Sequence, residues 1–218
     1  MKPYYEEDGI TIYHGDCREI LSELTADVVI TDPPYGIDYE YVNMRPGKAR
    51  GSQHVTGDDE PFDPMHLLGF ARLMLFGANY YADKLPVGQW IVWNKRDRRE
   101  ASPLSADAEL IWHNCGGYAV SVFNWFWVGY YRKGETGTPR VHPSQKPIAL
   151  MRWLVENYST AGQLVLDPYM GSGTTLRAAL DVGRRAIGIE IEERYCEIAA
   201  KRLAQGVFDF GAVVGEQE

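Results

Sequence analysis

The chain has 218 residues, 45% of them apolar and 24% charged, with a formal net charge of −8. That size and balance suit one globular domain with a sizeable core and exclude a disordered chain. No apolar run approaches the ~18 residues of a membrane helix, and the first eight residues lack the apolar stretch of a signal peptide, so no membrane partner is expected.

In chain order, residues 10–14 read as a strand that exits through Gly15-Asp16-Cys17. Residues 18–24 show helical spacing at Ile20, Leu21 and Leu24. Residues 27–31 form an apolar strand closed by Asp32-Pro33-Pro34-Tyr35. Residues 36–63 are long, polar and rich in Gly, Arg and Asp, the composition of a functional loop. A helix is expected over 64–73, then strands near 73–76 and at 89–93. Residues 108–113 fit a strand or a helix start. Residues 118–131 are aromatic and β-like, and most of their rings are expected in the core. Residues 147–158 repeat as a helix through Ile148, Met151, Leu154 and Val155. A strand at 164–166, a helix after Thr174, a strand at 186–189 and a helix over 192–203 complete the pattern. The tail after Gln205 is expected to fray. Strands alternating with helices predict a doubly wound α/β sheet, with ligands at the carboxyl ends of the strands. Asp16, Asp32, Asp167 and Glu190 all fall at such ends.

Asp32-Pro33-Pro34-Tyr35 is the most telling segment. Proline fixes φ and has no N–H, so carbonyls point outward as acceptors. The turn forms a rigid, acceptor-rich slot for a planar base with an amino group. Tyr35 can stack on the base, while Asp32 and the Pro33 carbonyl accept from its NH2. Alone, such a turn is also ordinary strand-ending chemistry. A second motif, Leu164-Val165-Leu166-Asp167-Pro168-Tyr169-Met170-Gly171-Ser172-Gly173-Thr174-Thr175, reads as strand, glycine turn and helix start. Glycines there let backbone N–H groups approach a ligand. Glu190 ends the next strand, at the spacing of an acid that binds ribose hydroxyls. A phosphate-loop reading fails, because no Lys precedes Thr174.

On these two motifs the chain resembles DNA amino-methyltransferases, which move a methyl group from S-adenosylmethionine to adenine N6 or cytosine N4. The resemblance spans roughly residues 10–205. The Asp32 motif precedes the Asp167 loop by 135 residues, the order of the circularly permuted β-type. The resemblance implies a Rossmann-like methyltransferase fold, α/β, with a doubly wound, mostly parallel seven-stranded sheet containing one antiparallel strand. Residues 1–218 would be a single permuted domain. Asp32, Pro33, Pro34 and Tyr35 would be catalytic. The cofactor, S-adenosyl-L-methionine, would touch Asp16 and Cys17 near its adenine and Glu190 and Ile191 near its ribose. Its methionine moiety would meet Asp32, Asp167, Pro168, Tyr169, Gly171, Ser172, Gly173, Thr174 and Thr175. His142, Ser144 and Lys146 resemble the segment before the cofactor-covering helix, with His142 and Lys146 as partners of the methionyl carboxylate. In the family an Asp-Pro-Pro-Tyr motif more often accompanies adenine N6, and Ser-Pro-Pro-Tyr cytosine N4.

The expected partner is double-stranded DNA with the target base flipped out. Charge is sorted accordingly. Segments 36–56, 94–100 and 130–147 hold eleven of the 22 basic residues and a net +6, leaving −14 on the rest. Arg45, Lys48, Arg50, Lys95, Arg96, Arg98, Arg99, Arg132 and Lys133 are therefore candidate DNA-binding residues. Target recognition is expected within 36–60 and 94–140. The room for a separate recognition domain is small, which implies a short target sequence, a homodimer or a second subunit. Cys17, Cys115 and Cys196 are far apart and lack metal-ligand spacing, the pattern of reduced thiols in a cytoplasmic protein with no metal. The competing readings are a cytosine N4 enzyme, an RNA or protein-amide methyltransferase, and a silent cofactor- or DNA-binding partner of a restriction-modification system.

Overall fold

The computed structural model describes residues 2–42, 52–96, 106–128, 131–136 and 140–204. Its strands are β1 (Tyr5–Glu7), β2 (Ile10–His14), β3 (Val28–Thr31), β4 (Glu40–Val42), β5 (Ser52–His54), β6 (Leu73–Phe76), β7 (Gln89–Asn94), β8 (Ala108–His113), β9 (Val120–Asn124), β10 (Trp127–Val128), β11 (Tyr131–Arg132), β12 (Leu164–Asp167) and β13 (Arg185–Glu190). Its helices are α1 (Cys17–Ile20), α2 (Ile148–Tyr158), α3 (Thr174–Asp181) and α4 (Glu193–Ala204).

Nine strands share one sheet in the order β1-β2-β13-β12-β3-β6-β8-β7-β9. From β2 to β6 every neighbour is parallel. β8 alone reverses between β6 and β7. The seven expected strands with one antiparallel member are thus present. β1, antiparallel to β2, and β9, parallel to β7, widen the sheet at its edges.

The central strands are buried on both faces. Val28 to Thr31 and Leu73 to Phe76 have essentially no exposure, as continuous apolar runs in a covered parallel sheet must. Alternate residues feed two cores. Val28, Ile30, Met74, Phe76 and Val165 meet α2, α3 and α4 through Leu150, Leu154, Leu176, Cys196 and Ala199. Val29, Leu73, Leu75 and Leu166 face α1, Phe62, Leu67, Ala78 and Tyr81. One face therefore carries three regular helices, and the other is closed mainly by short turns.

One expectation changes here and one alternative is resolved. Residues 64–73 are not a helix. Only Pro64–His66 makes a single 3-10 turn, capped by Asp63, whose Oδ1 accepts from Met65 N at 3.1 Å. Leu67 is fully buried while Met65 is 67% exposed, and Leu68 and Phe70 pack partly buried against the same core from turns rather than from a helix face. Residues 108–113 are a strand, β8, paired on both sides. The tail after Gln205 lies outside the described residues. No helix among them is long and apolar enough to cross a membrane.

The topology brings the four strand-end acids to one edge. β2, β13, β12 and β3 are consecutive parallel neighbours. Asp16, Glu190, Asp167 and Asp32 therefore line up across the sheet in an order unlike their order in the chain.

Candidate active site

The turn after β3 is held from a distance. Asp58, 3% exposed, accepts from three backbone N–H groups: Tyr35 at 2.6 Å and Gly36 at 2.8 Å on Oδ1, and Tyr39 at 2.7 Å on Oδ2. Gly36 has φ +76°, and a Cβ there would lie 2.7 Å from Glu60 O. Gly77, at φ +62°, lets the Tyr35 ring sit against bare backbone, since a Cβ would come within 2.2 Å of Cε1. The ring stacks on Tyr80 with centroids 5.4 Å apart. Its hydroxyl donates to Asp32 Oδ1 at 2.5 Å. Asp58, Gly77 and Tyr80 had no signal in the sequence, because their role depends on where distant segments meet the motif.

Asp32 belongs to a chain of buried charges. Lys146 Nζ donates to Asp32 Oδ2 at 2.5 Å and to the Tyr35 hydroxyl at 3.2 Å. The same ammonium lies 3.6 Å from Glu109 Oε2. Glu109 Oε1 accepts from Lys95 Nζ at 2.9 Å. Burial opposes the charges of Asp32, Lys146 and Glu109. For Lys146 it is outweighed by Asp32 and then Glu109, which hold the ammonium above its ordinary pKa. For Glu109 it is outweighed by Lys146 and Lys95, which hold the carboxyl low. At Asp32 burial prevails over Lys146, and the carboxyl sits above its usual range. Lys146, expected beside the cofactor's carboxylate, thus sits on Asp32.

The glycine loop is built differently. Asp167 Oδ1 accepts from Thr31 Oγ1 at 2.7 Å and Tyr169 N at 3.2 Å, and Oδ2 from Thr175 Oγ1 at 2.5 Å. Burial pushes its carboxyl up to about 6 against those hydroxyls. Ser172 receives Arg202 Nη1 on both its carbonyl, at 2.6 Å, and its hydroxyl, at 3.0 Å. Gly173, at φ +76°, brings α3 close to α4, where a Cβ would meet Ala199 Cβ at 2.8 Å. Glu190 Oε2 accepts from Gly171 N at 3.0 Å and Oε1 from Glu192 N at 2.7 Å. Burial raises Glu190 to about 7, with the two N–H groups pulling the other way. His142 Nδ1 accepts from Ser144 N at 3.2 Å, and burial followed by Lys146 holds the ring down to about 3, hence neutral. Thr56 Oγ1 donates to Glu192 Oε1 at 2.8 Å, tying the 55–58 segment to the exit of β13.

A cavity of about 1580 Å³ joins these parts. It exceeds the ~300–1,000 Å³ typical of one small ligand. Asp16, Cys17, Asp32, Pro33, Pro34, Tyr35, His142, Ser144, Lys146, Pro168, Tyr169, Gly171, Glu190 and Ile191 all line it. Asp167, Ser172, Gly173, Thr174 and Thr175 do not; they are buried and form the wall's support. At Gly171 a Cβ would stand 3.1 Å from His142 Nε2, so glycine keeps the wall open there. The chain also contributes Phe62, His66 and Glu109, which the sequence did not single out.

A family model described as DNA methylase matches residues 119–201. The Type II methyltransferase M2.DpnII of Streptococcus pneumoniae is 42% identical over 254 residues, covering 93% of this chain and 92% of its own. The chain belongs to the DNA amino-methyltransferase family. The Type II methyltransferase M.ScaI of Streptomyces caespitosus is 26% identical, over 95% of this chain and 86% of its own. The solved SAM complex of M1.HpyAVI matches with a TM-score of 0.57 at 28% identity, covering 89% of this chain and 100% of its own. The cytosine-N4-specific PvuII DNA methyltransferase shares the fold, with a TM-score of 0.58 at 15% identity, over 92% of this chain and 88% of its own.

The basic residues of the methyltransferase are not the exposed set that charge alone suggested. Arg132 is 3% exposed, with its guanidinium 5.3 Å from the Trp127 ring centroid. The Lys95 side chain is 12% exposed and bound to Glu109, and Arg96 is 14% exposed and paired with Asp107 at 2.5 Å. Of these, only Arg132 is buried; Lys95 is held by Glu109 at the cavity wall, and Arg96 pairs with the largely exposed Asp107. Lys133 is exposed, with its ammonium 4.5 Å from the Trp125 ring centroid. Arg45, Lys48, Arg50, Arg98 and Arg99 lie outside the described residues.

Proposed function

We propose that the enzyme transfers a methyl group from S-adenosylmethionine to adenine N6 in double-stranded DNA. The observation that carries this reading is one cavity lined by both Asp32 and Glu190. They stand at the ends of strands two apart, about 10 Å by sheet spacing. Its size suits a cofactor and a flipped base together.

In this reading Glu190 takes the ribose hydroxyls, with Ile191 beside it. Asp16 and Cys17 take the adenine end, and Pro168, Tyr169 and Gly171 the methionine end with His142 and Ser144. Asp167, Ser172, Gly173, Thr174 and Thr175 hold that loop from behind. S-adenosylmethionine supplies a methyl on a cationic sulfur, a leaving group that needs no activation by the protein. Asp32 and the Pro33 carbonyl accept from the target NH2, draw it towards tetrahedral geometry and favour the positive charge that develops on nitrogen. The rigid Pro33-Pro34 turn aims these acceptors, and in-line placement supplies much of the remaining acceleration. Tyr35, backed by Tyr80, offers an aromatic face in exchange for the stacking lost on flipping. Asp32, rather than a serine, at the head of the motif supports adenine over cytosine.

The test is transfer of radiolabelled methyl to unmethylated DNA, with nucleoside mass spectrometry of the product. N6-methyladenine is expected. N4-methylcytosine would overturn the base assignment, and label in RNA or protein alone would overturn the substrate.

A further inference from the structure

The charge row around Asp32 poses a problem for the acceptor role just proposed, on which the following inference rests. Both Asp32 oxygens already hold a donor, the Tyr35 hydroxyl on Oδ1 and the Lys146 ammonium on Oδ2. An ammonium 2.5 Å away also cancels the negative charge that the methylated nitrogen would need nearby. Each oxygen can still accept a second donor, but moving Lys146 off Asp32 restores the negative charge to the side facing the target nitrogen. An ammonium that is 9% exposed cannot be left unpaired without a large penalty.

Glu109 offers the destination. Its Oε1 is fixed by Lys95. Its Oε2 is buried and has no hydrogen-bond partner among the described residues. That oxygen lies 3.6 Å from Lys146 Nζ, so a shift below about 1 Å completes a hydrogen bond. We propose that Glu109 is the second seat of the Lys146 ammonium, which passes from Asp32 Oδ2 to Glu109 Oε2 as the target amine arrives. Glu109 is then a positioning residue. It lines the cavity but acts through Lys146, freeing Asp32 by receiving the group that guards it. No proton changes hands; one hydrogen bond is exchanged for another, and Lys146 stays charged.

The groups facing the ammonium are Asp32 from the end of β3, Glu109 from β8, Tyr35 from the turn and His142 from its own segment. Lys95 stands behind Glu109, and Tyr81 and Asp167 act on the Tyr35–Asp32 pair from further away. Because Glu109 raises Asp32, neutralising it lets Asp32 ionise at lower pH.

Single-turnover methyl transfer to DNA across pH 5.5–9 tests the idea in Glu109→Gln, Lys146→Met and the double variant. Melting temperature and S-adenosylmethionine affinity are measured alongside. Glu109→Gln is expected to slow transfer roughly tenfold to a hundredfold, the size of one charge-assisted bond, with cofactor affinity kept and the acid limb moved to lower pH. In the Lys146→Met background the same change should cost less than about twofold, since no ammonium needs the seat. Transfer by Glu109→Gln within threefold of native, or an equal loss at every pH and in both backgrounds, would overturn the proposal. Should Glu109→Gln fail to fold, the ratio of the charge-balanced double variant to Lys146→Met decides alone: near one supports the seat, and a further tenfold loss sinks it. Asp32→Ala, which removes both acceptor oxygens, is the control for the underlying reading. If it retains transfer, the acceptor role itself fails; if it is inert while Glu109→Gln is native-like, only the second seat fails.

Discussion

The two ends of the cavity keep buried carboxylates in opposite ways. At Asp32, charge answers charge, through Lys146, Glu109 and Lys95 in a row. At Glu190 the partners are neutral N–H groups of Gly171 and Glu192. The first arrangement sets opposite charges against one another in the cavity wall. The second leaves a carboxyl whose pKa of about 7 lies near working pH, and whose charge is fully drawn out only by a ligand that donates to it. These different surroundings suit the roles proposed for the two ends, one facing a developing cation and the other hydroxyls.

The sharpest way to break the comparison is at Asp32. Asp32→Ala should lower methyl transfer about a thousandfold, the upper range for one electrostatic transition-state group, and leave S-adenosylmethionine affinity within a few fold. A variant that still methylates DNA at near-native rate would remove Asp32 from the chemistry. Glu190 should show the converse. Glu190→Gln is expected to weaken cofactor binding roughly tenfold to a hundredfold, read by calorimetry.

The pH dependence sharpens the contrast further. The native enzyme should bind cofactor more tightly as pH rises through about 7, because hydroxyls donate to the ionised Glu190. Glu190→Gln should be flat. The linked effect on the free protein has the opposite sense. The folded form keeps the proton to about 7, the unfolded chain only to the ordinary 4.5. This group therefore withdraws stability as pH rises through that window. A native binding curve without a rise near neutrality would refute the ribose role.

The smallest effect is expected at the wall. Thr175→Val removes one of three donors to Asp167 and should cost about 1–3 kcal/mol of stability. Melting should fall roughly 2–4 °C per kcal/mol, with little change in transfer at low temperature.

Much of this was legible in the sequence. Asp32, Gly171 and Glu190 sit in local motifs whose strand, turn and helix signals read directly from chain order. Residues 64–73 misled because Leu67, Leu68 and Phe70 reach the core from successive turns, so apolar spacing was present without a helix. Formal charge says nothing of neighbours: Trp127 and Glu109 hold Arg132 and Lys95 away from open solvent, while Arg96 pairs with the exposed Asp107. Asp58 and Glu109 were invisible for the opposite reason. Each is an ordinary acid in its own segment, and acquires a role only where the sheet brings β8 and the 55–58 segment against the Asp32 turn.

Asp167 carries a consequence of another kind. Its carboxylate grips Thr31, the residue before Asp32, and Thr175, in the first turn of α3. One fastener thus sets the offset between the loop proposed to hold the methyl donor and the turn proposed to aim the acceptor. Misplacement by about 1 Å can cost such a reaction a hundredfold. In this enzyme that tolerance is kept by a group that meets neither reactant, and wear at this joint would show first as poor aim rather than as weak binding.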